Sequence, residues 1–229
     1  MSASSALAAP STISSKYVVA ITGLALTGFV LVHMLGNLLV FAGREQLNNY
    51  AHTLKSNPAL LWSARSGLFL MFVIHIYLAL RLKFKNMAAR PTGYVFKHTE
   101  EASFASRTMV WTGMAILFFL LYHLAHFTLG LTDPASFQLQ DPKGRPDVYS
   151  MVIRGFQNPI VSGLYIVAMI FLGLHMSHGV QSTFQSLGFT RRRLDKSIYR
   201  FGMALTLLIV IANISMPLSI LLGLIKLPS

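Results

Sequence analysis

Six of the eight histidines fall inside long apolar stretches: His33, His75, His123, His126, His175 and His178. An ionisable side chain is costly in such a setting and usually faces the interior of a bundle. His52 and His98 fall instead in predicted loops, where a solvated imidazole is the ordinary reading. A neutral imidazole carries one N–H and one lone pair, so it can ligate a metal with one nitrogen and hydrogen-bond with the other. The chain has no cysteine. Iron–sulfur ligation, disulfides and the C-x-x-C-H attachment of c-type haem are therefore excluded, and any haem must be held without a covalent link.

The elements that carry these histidines are membrane spans. Of 229 residues, 54% are hydrophobic and 11% charged, against about 25% charged in soluble domains. A spanning helix needs about 20 mostly apolar residues. Five segments qualify, at 17–41, 62–84, 108–131, 159–184 and 198–224. Pro58, Pro91, Pro134 and Pro159 lie at or outside their ends, as residues that cannot continue a helix should. The expected fold is an all-α integral membrane bundle of five helices over 17–229, preceded by a flexible Ala/Ser-rich tail, 1–16, without the pattern of a signal peptide. No internal repeat is apparent.

Charge sets the expected orientation. The 19 Lys and Arg against 7 Asp and Glu give a net charge of +12. On a soluble chain that excess would suggest nucleic acid; between apolar runs it points to the positive-inside rule, anionic headgroups and no nucleic-acid partner. Lys83, Lys85, Arg90, Lys97 and Arg107 lie between spans two and three, and Arg191, Arg192, Arg193, Lys196 and Arg200 between spans four and five. The other loops mix signs: Arg44, Glu45 and Lys55 in one, Asp133, Asp141, Lys143, Arg145, Asp147 and Arg154 in the other. The basic pair should be cytoplasmic, which places the N-terminus inside. The long polar connection 132–158 is expected to fold over the outer face.

Depth then sorts the histidines. At ~1.5 Å per residue, His33 and His123 lie about 24 Å from the cytoplasmic helix ends, and His75 and His175 about 14 Å. Two levels result, some 10 Å apart, each with two imidazoles from different helices. Two bis-histidine haems require that arrangement, and such coordination leaves no open position for oxygen, so it suits electron transfer. Ala79 and Gly179, four residues after His75 and His175, share their faces and would let a flat macrocycle approach. His126 and His178 each lie three residues from a favoured ligand and could replace it; hydrogen bonding to a propionate or quinone is the other reading.

These residues resemble a family. Thr22-Gly23-Leu24, Phe29 and His33-Met34, with Asn37, look like the first helix of the di-haem cytochrome b membrane subunit of succinate:quinone oxidoreductases, which include the quinol:fumarate reductases. His75 with Ala79, Leu80 and Arg81 is similar to its second ligand helix. Thr112-Gly113, Phe118-Phe119-Leu120 and His123 are similar to its third, which favours His123 over His126. His175 with Gly179 is similar to its fourth. The resemblance covers roughly residues 16–224.

The resemblance implies a subunit of the inner (cytoplasmic) membrane with two haem b groups, on the ligand pairs His33/His123 and His75/His175. It implies a flavoprotein and an iron–sulfur subunit on the cytoplasmic face, a quinone that is menaquinone, and a complex free to form higher oligomers. The succinate or fumarate site would lie on another chain. Arg81 and His178 are expected near the inner propionates, and Lys83, Lys85 and Arg191–Arg193 where the partner docks, although a positive-inside signal explains the same charges. Glu45, His52 and His126 are the quinone-site candidates. Two other classes compete: the cytochrome b anchor of a hydrogenase or formate dehydrogenase, and a non-haem proton-coupled transporter. The transporter reading gives no reason for paired depths, and no broken helices or inverted repeats support it.

Overall fold

The computed structural model describes residues 11–89, 104–189 and 192–227, without the side chains of 192–194. Arg90, Pro91, Lys97, His98 and Arg191 lie outside the described residues, as does the first part of the N-terminal tail. Five helices are long and apolar enough to cross a membrane: α1 (Thr12–Asn37, continued by a 3-10 turn, Leu38–Ala42), α3 (Pro58–Ala88), α4 (Phe104–His123), α7 (Pro159–Ser186) and α8 (Arg192–Leu221). Three shorter helices lie between them: α2 (Arg44–Lys55), α5 (Pro134–Phe137) and α6 (Val148–Gln157). No strand occurs among the described residues. Helix α1 begins at Thr12, so 12–16 is helix rather than tail.

The starts are written locally. α3 and α7 each open on Asn-Pro: the side chains of Asn57 and Asn158 accept from backbone N–H groups of the first turn, and Pro58 and Pro159 occupy positions where no donor is needed. Ser11 caps α1 in the same way. Pro217 is the exception to the rule that proline marks helix ends here, since it sits inside α8. Such a proline is tolerated in a membrane bundle where neighbouring helices cover the freed carbonyl.

The spans bury little of themselves in one another. α1 packs on α3 and on α7, α7 packs on α4, and α8 lies against α7 and, more lightly, α1. No substantial contact joins α3 to α4, α3 to α7, or α1 to α4. α1, α3, α4 and α7 therefore enclose a slot bridged only by side chains. Two apolar clusters hold the rest together. Met34, Met176 and Ile209 join α1, α7 and α8 in mid-bundle, so the methionine after each of His33 and His175 is core. A larger cluster of Val40, Leu47, Tyr149, Ile153, Phe156, Tyr165, Met216 and Ile220 closes one end.

That end carries a cap. The connection around Arg44–Lys55, expected as a loop, is the helix α2, and it packs on α6 from the long polar connection. The mixed charges of the two loops find each other. Arg44 pairs with Asp147, Arg145 with Asp141 and Glu45, and Lys143 with Glu45. Asn48, fully buried, donates to Asp147 and Asp141 and accepts from the Tyr149 N–H. Burial alone would push Asp147 up, but Arg44, then Asn48 and Ser150, hold its carboxyl down at about 2. Asp141 behaves alike: hydrogen bonds from Arg145, Lys143 and Asn48 outweigh its burial and hold it well below the usual carboxylate range.

Candidate functional site

The slot is where the histidines meet. His33 of α1 and His123 of α4 face each other with ring centres 5.7 Å apart and planes at 85°. Metal–imidazole bonds of about 2 Å on opposite sides of one ion put two ring centres about 6 Å apart. The pair thus stands at a ligand separation although its helices do not pack on one another. Phe29 stacks on His33 at 5.4 Å, and Phe119 lies 5.8 Å from His123. These aromatic neighbours restrict both rings and keep water away from the gap.

The other two histidines sit deeper, toward the opposite end, where the described residues form no cap (the uncapped end). His75 of α3 reaches α1, its Nδ1 3.1 Å from Thr22 Oγ1. His175 of α7 reaches α4, its Nδ1 3.3 Å from Thr112 Oγ1. Thr22 precedes His33 by eleven residues, and Thr112 precedes His123 by eleven. The second level therefore lies about 16 Å along α1 and α4 from the first. That step is wider than the roughly 10 Å obtained from helix ends, because the spans do not end in one plane. His75 is among the groups within electrostatic reach of His175.

Each of these rings lies against a glycine. A Cβ on Gly23 would come 3.1 Å from His75 Cε1, and one on Gly113 would come 3.4 Å from His175 Cε1. The space beside His75 is tight enough to favour glycine at 23, whereas a Cβ at 113 would only touch His175 in ordinary contact. The repeated Thr-Gly was visible in the sequence at a fixed distance before two histidines. Its role was not, because it acts across helices on the other two. Helix pairs α1–α3 and α4–α7 are thus variations on one arrangement, a repeat too short and too widely spaced to register in the chain as a whole.

His126 is set apart from His123 by the backbone. α4 ends in a π turn, Leu124–Thr128, in which the Leu129 N–H bonds the Leu124 carbonyl. The widened turn stacks His126 on its own neighbour Phe127, at 3.9 Å and 22°, a pairing that consecutive residues of a regular helix do not make. His126 is buried, and a Cβ on Gly155 of α6 would come 3.0 Å from its Cε1 and Nε2. One side chain links the two histidines: Tyr165 Oη lies 3.3 Å from His123 Nδ1 and 3.1 Å from His126 Nδ1. Tyr165 carries no motif and was missed in the sequence.

The remaining candidates are dispersed. Glu45 lies on the cap, its carboxyl held below the usual range by Arg145 and then Lys143. His52 is exposed on α2 rather than in a loop. Arg81 donates to Ser15 Oγ at 3.2 Å near the uncapped end, and His178 is half-buried one turn beyond His175. Glu45, His52 and His126 do not form one cluster: the first is in ion pairs, the second faces outward, and the third is enclosed.

The donor set can be tested against a cofactor. Among the described residues no three His, Asp or Glu side chains gather as a metal-ion site. The histidines come in twos, across a slot, with aromatic or glycine neighbours. Hydrogen bonds at Nδ1 leave Nε2 of His75, His123 and His175 available. Neutral imidazoles so placed, above all His33 and His123 opposite each other, fit haem iron without a covalent attachment.

Comparison with known proteins gives the same direction. The profile of the succinate dehydrogenase/fumarate reductase transmembrane subunit matches residues 85–215, a stretch that contains His123 and His175. No curated protein and no solved structure matches the chain. More than half of the sequence lies within the match and the five spanning helices agree with it, so the chain belongs to the succinate dehydrogenase/fumarate reductase transmembrane subunit family.

Proposed function

We propose that this membrane-anchor subunit carries two b-type haems, on His33 with His123 and on His75 with His175, and serves electron transfer between an iron–sulfur partner and a quinone. The observation that carries the reading is the His33–His123 pair, 5.7 Å between ring centres and mutually perpendicular, from helices that share only a slot. When bound, the haems supply two one-electron relay sites spaced along the bundle.

The chain's own residues bind, orient and insulate. The four imidazoles would hold the haem irons, and Phe29 and Phe119 flank His33 and His123. Met34 and Met176 back the ligand helices against α8, which fixes the slot's width. Arg81 and His178 stand at the uncapped end, where propionates of the second haem would need donors. That end also carries Lys83 and Lys85 of α3, whose charge suits the cytoplasmic side and the docking of the iron–sulfur and flavoprotein subunits. The capped end then faces outward. His126, with Glu45 and His52 as alternatives, is the candidate quinone contact there, and menaquinone in the inner membrane is the expected substrate.

The test is purification of the membrane complex followed by reduction with succinate. Co-purifying flavoprotein and iron–sulfur chains, with a b-type band that succinate reduces, are the expected result. A complex without haem, or one whose haem succinate cannot reduce, refutes the proposal.

A further inference from the structure

The inference concerns the two Thr-Gly pairs and rests on the reading of His75 and His175 as axial ligands. Thr22 Oγ1 donates to the carbonyls one turn back, at 2.7 Å from Val18 and 3.2 Å from Val19. Thr112 Oγ1 does the same, at 3.0 Å from Met109 and 3.2 Å from Thr108. A hydroxyl has one hydrogen, and in each threonine a helix carbonyl lies nearer to Oγ1 than the ring nitrogen does, at 2.7 against 3.1 Å for Thr22 and 3.0 against 3.3 Å for Thr112. Toward His75 and His175 each oxygen can therefore only accept. The ring nitrogen facing it, Nδ1, must carry the proton, and the lone pair falls on Nε2. Both threonines are buried, so water does not compete for the contact.

The neighbouring glycine completes the device. Gly23 lets Cε1 of His75 lie where a Cβ would crowd it, and Gly113 leaves Cε1 of His175 at contact distance from α4; in both cases Nδ1 comes within reach of the hydroxyl. One residue gives the approach and the next fixes the proton. We propose that Thr22 and Thr112 are positioning residues that set the tautomer and electron richness of His75 and His175, the ligand pair nearer the uncapped end. Their contacts are with the imidazoles, and their effect on a bound haem would pass through those rings. A hydrogen bond to Nδ1–H makes the ligand more electron-rich, which favours the oxidised iron.

The experiment replaces each threonine singly in the assembled complex. Thr22→Val and Thr112→Val keep the shape and remove the oxygen; Thr22→Ser and Thr112→Ser keep the oxygen. The readouts are haem retention and the reduction midpoints of the two haems by spectroelectrochemical titration. In the Val variants one haem should bind 10–100-fold more weakly and titrate at a higher midpoint. The other haem, on His33 and His123, should stay unchanged, and the Ser variants should match the parent. Val variants that do not assemble are replaced by Thr22→Ala and Thr112→Ala, with the same difference from Ser expected. Unchanged midpoint and retention on loss of the oxygen, or an equal change in the Ser variants, overturn the proposal. A parent complex with two haems and insensitive variants defeats this inference alone. A parent without haem defeats the proposed function as well.

Discussion

The two histidine pairs use the same ligand type on similar helix pairs, yet they are supported differently. Near the cap, His33 and His123 sit among aromatic rings, and the polar partner of His123 is Tyr165, itself shared with His126. Toward the uncapped end, His75 and His175 have no such cluster; each rests on a glycine and faces a threonine of the neighbouring ligand helix. The first level is held by surrounding bulk, the second by the absence of bulk and one hydroxyl. Two histidine pairs of the same residue type can therefore have different environments at two depths.

Removing each imidazole singly is the strongest test of the two pairs. His33→Ala and His123→Ala should each remove the same haem and halve the haem-to-protein ratio, and His75→Ala and His175→Ala should each remove the other one. His126→Ala should keep both, since its ring faces Gly155 and Phe127 rather than His33. Pyridine haemochrome assay of the purified variants checks this; retention of both haems in His123→Ala with loss in His126→Ala would reverse the assignment.

Glycine substitutions probe the space at the second level. Gly23→Ala places a methyl 3.1 Å from His75, and Gly113→Ala one 3.4 Å from His175, so loss of bound haem should be larger at Gly23. Gly28→Ala, with nothing within 4 Å of the new Cβ, should leave haem content unchanged and stabilise α1 by up to about 1 kcal/mol. Thermal melts of the purified complex, followed by haem absorbance, separate these outcomes.

At the first level the smaller lever is a hydroxyl. Tyr165→Phe removes the shared contact of His123 and His126 and should cost about 1 kcal/mol. The optical spectrum of the His33/His123 haem should change while that of the other stays constant. The smallest effect is on the cap. Asp147 and Asp141 have carboxyls depressed in the folded protein, so they contribute stability above the ordinary carboxylate range. That contribution fades as pH falls from about 4 through the Asp147 value of about 2. Amide protection in α6, corrected for the intrinsic exchange rate, should therefore fall on acidification before protection in α7 does, and Asp147→Asn should reduce the dependence to the part that Asp141 carries.

Much of this was legible in the chain. Five spans follow from length and apolarity, and the capping Asn-Pro pairs mark two of their starts. The histidines that meet are those that depth and helix direction had paired in the first level. What stayed hidden depended on tertiary partners. α2 is polar along most of its length, and its apolar residues Leu47, Tyr50, Ala51 and Leu54, although at helical spacing, are few beside the long spans; its helix is held by Leu47 and Asn48 against α6. The π turn at Leu124 has no residue signature, and it decides which way His126 points. Thr22 and Thr112 look like ordinary spanning threonines that bond their own helix, until His75 and His175 arrive from other helices to use the remaining lone pairs. Pro217 shows the opposite limit: the residue is unmistakable, but the helix continues through it.

The central claim is two haems at two levels of one slot, and counting them tests it most directly. A dithionite-reduced minus oxidised spectrum of the purified chain in its complex, with haem and protein both quantified, should give b-type bands and two haems per chain. One haem per chain would contradict the two-level account, and none would contradict the whole.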